Sequence, residues 1–239
     1  MRYQYVKAPV VNLPHRQTAL LRALPFFLVV AGLILFSSAA VPIFFYQFFV
    51  SPRFVKLVKP APDDYLLQVS QPGVLGEKAG LDMTNVSNWF PAADYLPPRP
   101  SKITHYTLSI PKLGIKEAIV QVGGEDLKTS LVQYQGTAFP GQFGNAVIFG
   151  HSVLPQFFNP KNYLTIFSTL PELKKKDEIF INFDGVLYRY LIEEMIEVQP
   201  EDISVLEQRY DDSYLTLITC VPPGTYLRRL VVRARLKGR

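Results

Sequence analysis

The distribution of apolar and polar positions divides the chain into four stretches of different character. Residues 1–22 are polar and basic, with Arg2, Lys7, Arg16 and Arg22 and no acid. From Ala23 to Val50 no residue is charged, and most are Leu, Phe, Val, Ile or Ala. Ser51 to Pro100 is rich in proline and turn formers, including Pro60, Pro62, Pro72, Pro91, Pro97, Pro98 and Pro100. From about Ile103 onward, short apolar runs broken by Gly and Pro give the pattern of strands.

The uncharged run predicts one transmembrane helix, because roughly 20 apolar residues cross a bilayer's hydrocarbon core. Pro25 and Pro42 are tolerable in such a helix. A cleaved signal peptide is the competing reading, since Ser38-Ala39-Ala40 resembles a small-residue cleavage site. Continuation of the apolar run through Val41–Val50 favours a retained anchor. The far flank carries Arg53, Lys56 and Lys59, but Asp63 and Asp64 follow, so the positive-inside bias places the N-terminus in the cytoplasm. The expected organisation is a cytoplasmic tail over 1–22, an anchor over 23–50, a Pro-rich extracellular linker over 51–102 and a folded domain over 103–239. The protein is then single-pass in the cell membrane, with that domain outside. Within the linker, Trp89 and Phe90 form an aromatic pair in polar surroundings. They are expected either to pack on the domain's flank or to close over its active site as a lid.

In the folded domain the predicted strands are 106–110, 116–120, 145–149, 178–183, 186–198, 214–220 and 230–236. Phe183-Asp184-Gly185-Val186 carries the Asp-Gly signature of a tight hairpin. Short helical pieces fit 125–130, 163–173 and 201–206. Seven or eight strands in about 135 residues suit a mostly β, closed barrel with small helices in its loops, an arrangement that leaves no exposed edges.

Charge and cysteine content narrow the chemistry. The net charge of +5 is spread out and forms no aromatic-interleaved basic stripe, which argues against a nucleic-acid partner. The basic flanks of the anchor suit anionic lipid headgroups instead. A single Cys excludes an internal disulfide and a Cys-x-x-Cys site. That cysteine, Cys220, ends the apolar run Tyr214–Cys220, and Arg229 comes nine residues later at the head of another. Upstream, Asn145–Phe149 runs into Gly150-His151-Ser152. A thiol, an imidazole and a guanidinium at strand ends cover three separate roles. They supply a nucleophile, a proton carrier, and a fixed cation for a carbonyl or oxyanion. Each also has an ordinary reading: a small core Cys, a capping His, a surface Arg. Their conjunction favours catalysis, with a cationic neighbour expected to favour the thiolate.

That conjunction carries a family resemblance. Gly150-His151-Ser152, Thr216-Leu217-Ile218-Thr219-Cys220 and Arg229-Leu230-Val231-Val232 together resemble the sortases, a family of cysteine transpeptidases. Leu108–Gly114 is similar to that family's first-strand Ile-Pro-x-Leu region, and Thr137-Ala-Phe-Pro-Gly141 to its Gly-Thr-x-x-Pro-Gly turn. The resemblance covers about residues 103–236 and implies a closed eight-stranded barrel. It implies Cys220, His151 and Arg229 as catalytic residues, with Thr219 and Ser152 as substrate contacts. The implied partners are secreted proteins bearing a C-terminal Leu-Pro-x-Thr-Gly-like sorting signal and an amine acceptor from a cell-wall precursor or pilin lysine. No metal or cofactor is implied. The short Cys-to-Arg interval resembles classes C and D, although Asn88-Trp89-Phe90-Pro91 lacks the Asp-Pro-aromatic lid motif of class C. A cysteine hydrolase of the same fold, or a non-catalytic peptide-binding barrel tethered to the membrane, remain as alternatives.

Overall fold

The computed structural model describes residues 15–56, 82–89 and 101–238. Among the described residues one long helix, α1 (His15–Phe45), covers most of the uncharged run, with Pro25 and Pro42 inside it. Its apolar residues, Phe26, Leu28, Leu35 and Phe36 among them, are exposed on every side. A helix that is apolar all round has no aqueous face, and by length and composition this one suffices to cross a membrane. The chain divides after Val41 into two compact units, the second being Pro42–Arg239.

Past α1, a π-helical turn (Tyr46–Val50) and a 3-10 turn (Ser51–Arg53) lead into a two-residue strand, β1 (Val55–Lys56). The start of the expected tether thus enters the folded unit, with Val55–Lys56 joining the sheet. The remaining strands are β2 (His105–Ile110), β3 (Ile115–Val122), β4 (Leu131–Gln133), β5 (Gly144–Phe149), β6 (Glu178–Phe183), β7 (Val186–Val198), β8 (Ser213–Val221) and β9 (Arg228–Leu236). Their order is β1-β7-β6-β2-β3-β4-β5-β8-β9, and pairing of β7 with β9 closes β2–β9 into an eight-stranded barrel. Thirteen residues long, β7 pairs with β6 through its first half and with β9 and β1 through its second. The Asp184-Gly185 hairpin is as expected: Phe183 pairs with Val186, and both turn residues have positive φ, 53° and 73°.

The helical expectations fared less well. Residues 125–130 form a turn in which Asp126 Oδ1 accepts from the Lys128 amide at 2.9 Å, and Asp126 bridges to Asn85. A short Asp side chain that bonds its own backbone competes with helix there. Residues 163–169 are consecutive turns ending in a 3-10 turn at Leu170–Glu172, and the third piece is a 3-10 turn at Ile203–Leu206.

Strand alternation separates two cores. Leu215, Leu217 and Val221 of β8 face the barrel interior with Leu230, Val232 and Ala234 of β9. Ile218 and Cys220 face outward, packed with Val147, Phe149, Ile196, Val198 and Val231 under Val205, Leu206, Val86 and Trp89. All nine residues of β8 are therefore buried. Each Leu or Ile so enclosed is worth on the order of 1.5–3 kcal/mol, which makes β8 a rigid platform for the groups at its end.

Candidate active site

Register alone brings the three expected residues together. Cys220 and Arg229 are direct partners across the antiparallel β8–β9 pair. The parallel β5–β8 pair ends with Phe149 opposite Ile218, and the Gly150 amide still donates to the Ile218 carbonyl at 3.1 Å. Two residues further along each strand, His151 comes opposite Cys220, on the same outward parity as Phe149 and Ile218. Imidazole, thiol and guanidinium thus occupy one row across β5, β8 and β9.

Local bonds fix that row. Thr219 Oγ1 donates to the Gly150 carbonyl at 2.9 Å, and Ser152 Oγ donates to the Cys220 carbonyl at 2.8 Å. Both hydroxyls, expected as substrate contacts, are buried and committed to backbone; they lock the ends of β5 and β8 to each other. Gly150 is required for packing rather than conformation: a Cβ there would lie 2.2 Å from Phe167 Cδ2.

His151 is 7% exposed, and its Nδ1 lies 2.9 Å from the Leu164 carbonyl. A carbonyl only accepts, so Nδ1 carries the proton and Nε2 keeps its lone pair. Burial holds the imidazole pKa below its ordinary value, with the Leu164 bond and the Asp82 carboxylate acting against that. Cys220 is 1% exposed, and burial pushes its thiol up to about 11 while Arg229 pulls it down. The expected thiolate is therefore not the resting form, because desolvation outweighs the cation beside it. Burial thus favours the neutral form of both groups.

Arg229 is 2% exposed. Its Nη1 donates to the carbonyls of Tyr226 (3.2 Å) and Arg228 (3.4 Å), and Nη2 to the carbonyl of Trp89 (3.4 Å). Among the described residues its Nε has no partner. The guanidinium lies 5.1 Å from the centroid of the Trp89 ring, a cation–π contact.

Trp89 itself is fully buried, edge-on to Phe149 at 5.4 Å, with Nε1 donating to the Met83 carbonyl at 2.7 Å. The segment 82–89 is pinned by Val86 N to Glu125 O (3.0 Å), Leu127 N to Thr84 O (2.8 Å) and an Asp82–Lys128 ion pair at 3.5 Å. It covers the outward core that contains Cys220. Phe90, the other expected lid residue, lies outside the described residues. Tyr226 was not singled out from sequence: half exposed, its ring is edge-on to His151 at 6.5 Å. Its place inside the Cys-to-Arg interval was the available signal. Among the described residues no three His, Cys, Asp or Glu side chains gather as a metal site.

Comparisons with known proteins point to one family. A family model described as "Sortase domain" matches residues 108–237, which include all three site residues. Sortase A of Bacillus anthracis is 28% identical over 132 residues, covering 55% of this chain and 59% of that protein. Sortase A of Streptococcus agalactiae is 33% identical over 72 residues, covering 30% of this chain and 29% of that one. The chain thus spans less than two thirds of either curated relative. Among solved structures, a lid mutant of sortase A from Corynebacterium diphtheriae superposes with TM-score 0.50 at 29% identity, over 63% of this chain and 85% of that one. Sortase C-1 from Actinomyces oris gives 0.50 at 25% identity, over 58% and 77%.

Proposed function

The chain belongs to the sortase family, and from that premise we propose that it is a membrane-anchored cysteine transpeptidase acting on a Leu-Pro-x-Thr-Gly-like sorting signal. Cys220 Sγ attacks the threonine carbonyl carbon, and Arg229 steadies the oxyanion that forms. Collapse breaks the Thr–Gly amide bond. The departing amine takes a proton that His151 has received from the thiol, leaving a thioacyl enzyme. An incoming primary amine, from a cell-wall precursor or a pilin lysine, then attacks the thioester and loses its proton through His151. Sulfur leaves as the thiol again.

The observation that carries this reading is the pairing of Cys220 with Arg229 across β8–β9 while His151 extends β5 to the same level. The tautomer supports it, because Nε2 is the nitrogen left to exchange protons with sulfur. Anchoring through α1, with the N-terminus in the cytoplasm and the barrel outside, is supported by the helix's apolar surface and the acid-free basic tail. It would place the site beside membrane-held acceptors.

We further propose that 82–89 acts as a lid. The Trp89 carbonyl occupies the guanidinium that a substrate carbonyl requires, and the Trp89 ring lies against the same group. The test of the function is mass spectrometry of the protein mixed with a sorting-signal peptide, with and without an amine acceptor. The expected result is an acyl adduct on Cys220 that passes to the amine. Adduct formation resolved only by water would replace transfer with hydrolysis, and no adduct at all would leave a binding barrel.

A further inference from the structure

The residue before Arg229 leads away from the site to the end of the anchor. Strand alternation sends Arg228 and Arg229 to opposite faces. Arg229 meets Trp89 outside the barrel, whereas Arg228 Nη1 pairs with Glu197 Oε2 at 2.9 Å. The Glu197 side chain is fully buried. Its other contacts are Tyr46 OH to Oε1 at 2.6 Å and Ser51 Oγ to Oε2 at 3.0 Å. Arg228 Nη2 in turn donates to Gln47 Oε1 at 2.6 Å.

Two of the three donors on this carboxylate therefore come from the stretch just past α1. The same stretch adds β1, whose Val55 and Lys56 pair with Ile196 and Glu197 of β7. Tyr46 and Phe54 belong to the barrel's interior core. The span Leu24–Ile43 alone covers roughly 30 Å at 1.5 Å per residue, enough for the hydrocarbon core. Tyr46 and the residues after it can therefore leave lipid and complete the barrel.

A buried carboxylate is tolerated only when its lone pairs are met, and losing one donor leaves charge uncompensated. Glu197 lies opposite Leu230, and Val198 lies opposite Arg229. Any adjustment at Glu197 and Arg228 is thus one residue from the guanidinium paired with Cys220. We propose that Glu197 is a positioning residue: completed by Tyr46 and Ser51 from the anchor's exit, it holds Arg228 and so fixes Arg229 against Cys220. The anchor's exit is thereby part of the acyl-transfer machinery rather than a passive tether. This rests on the function proposed above for Cys220 and Arg229.

The test uses the full chain in detergent micelles. Tyr46→Phe keeps the ring in the core and removes only the hydroxyl; Glu197→Gln removes the charge. Two readouts are taken for each: the pH midpoint of Cys220 alkylation, which needs no substrate, and the rate of acylation by a sorting-signal peptide. Both variants are expected to raise the alkylation midpoint, as Arg229 withdraws from the sulfur. They are also expected to slow acylation by about tenfold to a hundredfold, the scale of a misplaced catalytic group. Gly185→Ala, in the hairpin turn far along the chain from the site, serves as the control: it lowers the melting temperature and moves neither readout. Variants of Tyr46 and Glu197 that behave like this control would overturn the proposal. A shifted midpoint in a protein that forms no acyl adduct would keep the positioning role and remove the transpeptidase reading instead.

Discussion

Replacing Trp89 with alanine should convert the buried thiol into a reactive one. The ring is fully enclosed, stacks edge-on against Phe149 and lies over the Arg229 guanidinium. Removing an aromatic from such a place costs about 3–5 kcal/mol. Besides that ring, the segment 82–89 is held by the two backbone hydrogen bonds that make the Asn85–Asp126 bridge, the Arg229 bond to the Trp89 carbonyl, the exposed Asp82–Lys128 pair and the smaller side chains of Met83 and Val86. Most of the loss therefore falls on docking of the segment, not on the barrel. Once undocked, Cys220 regains water, and its pKa falls from about 11 toward the ordinary thiol value near 9. Below pH 9 the thiolate fraction then rises about a hundredfold. A less basic thiolate is also a poorer nucleophile, with a Brønsted coefficient of about 0.4–0.5, which returns a factor of roughly ten. The net chemical gain is about tenfold, and relief of the closed state multiplies it further.

Iodoacetamide alkylation of the full chain, followed by intact mass between pH 6 and 10, measures both quantities. The expected result is a midpoint lowered toward 9 and a rate at pH 8 at least about ten times that of the parent. Trp89→Phe, which keeps an aromatic but loses the bond to the Met83 carbonyl, should fall between the two. A Trp89→Ala protein that remains folded yet is alkylated at the parental rate with the parental midpoint would refute the shielding argument. The thiol would then owe its burial to the barrel alone.

Three further outcomes rest on the same geometry. Arg229→Lys keeps the charge but loses the fork that meets three carbonyls, so single-turnover acylation should fall by about a hundredfold or more; Arg228→Lys, which keeps an ion pair with Glu197, should lose less. The Cys220 pKa is higher in the folded chain than in the unfolded one, so its contribution to stability is intact below pH 9 and is lost as pH rises toward 11. The difference in unfolding free energy between the parent and Cys220→Ala should therefore shrink over that window by up to about 2.7 kcal/mol, and a flat difference curve from chemical denaturation would contradict the assigned burial. Gly150→Ala pushes a methyl into Phe167 and Leu131 and should cost about 1–3 kcal/mol of stability by thermal melt, with slower acylation because His151 is the next residue.

How much of this was legible in the sequence depended on whether a signal was local. The Asp184-Gly185 turn and the apolar run of β8 were local, and strand bounds read from such runs fell within a few residues of those observed. The strand β4 is three residues long, and β1 is two. Neither length can carry a periodic pattern, so both appear only through their partners. The helix expected over 125–130 failed because Asp126 spends its carboxylate on the Lys128 amide, and the backbone on either side of it, at Glu125 and Leu127, bonds to Val86 and Thr84, partners distant in sequence. The burial that raises the Cys220 pKa was likewise not legible locally, since the side chains packed with it come from β5, β7, β9, residues 205–206 and the segment 82–89.

The Arg228-Arg229 doublet shows where residue identity ends and fold begins. Both are strand arginines with the same chemistry, and residue type alone does not distinguish them. The register decides between them: Arg229 pairs with Cys220, and Arg228 pairs with Val221. Adjacent residues in a strand point to opposite faces, so one guanidinium must enter the outward core beside sulfur and the other the end of the barrel. An arginine at the barrel's end needs an anion, and the position that β7 offers at that level is Glu197, opposite Leu230. A buried glutamate with a single cation would still have oxygen lone pairs unmet, and the chain meets them with Tyr46 and Ser51. The requirement that Arg229 face outward thus propagates, one bond at a time, to the turn that follows α1. The order of these steps comes from alternation and hydrogen-bond satisfaction rather than from the family to which the chain belongs.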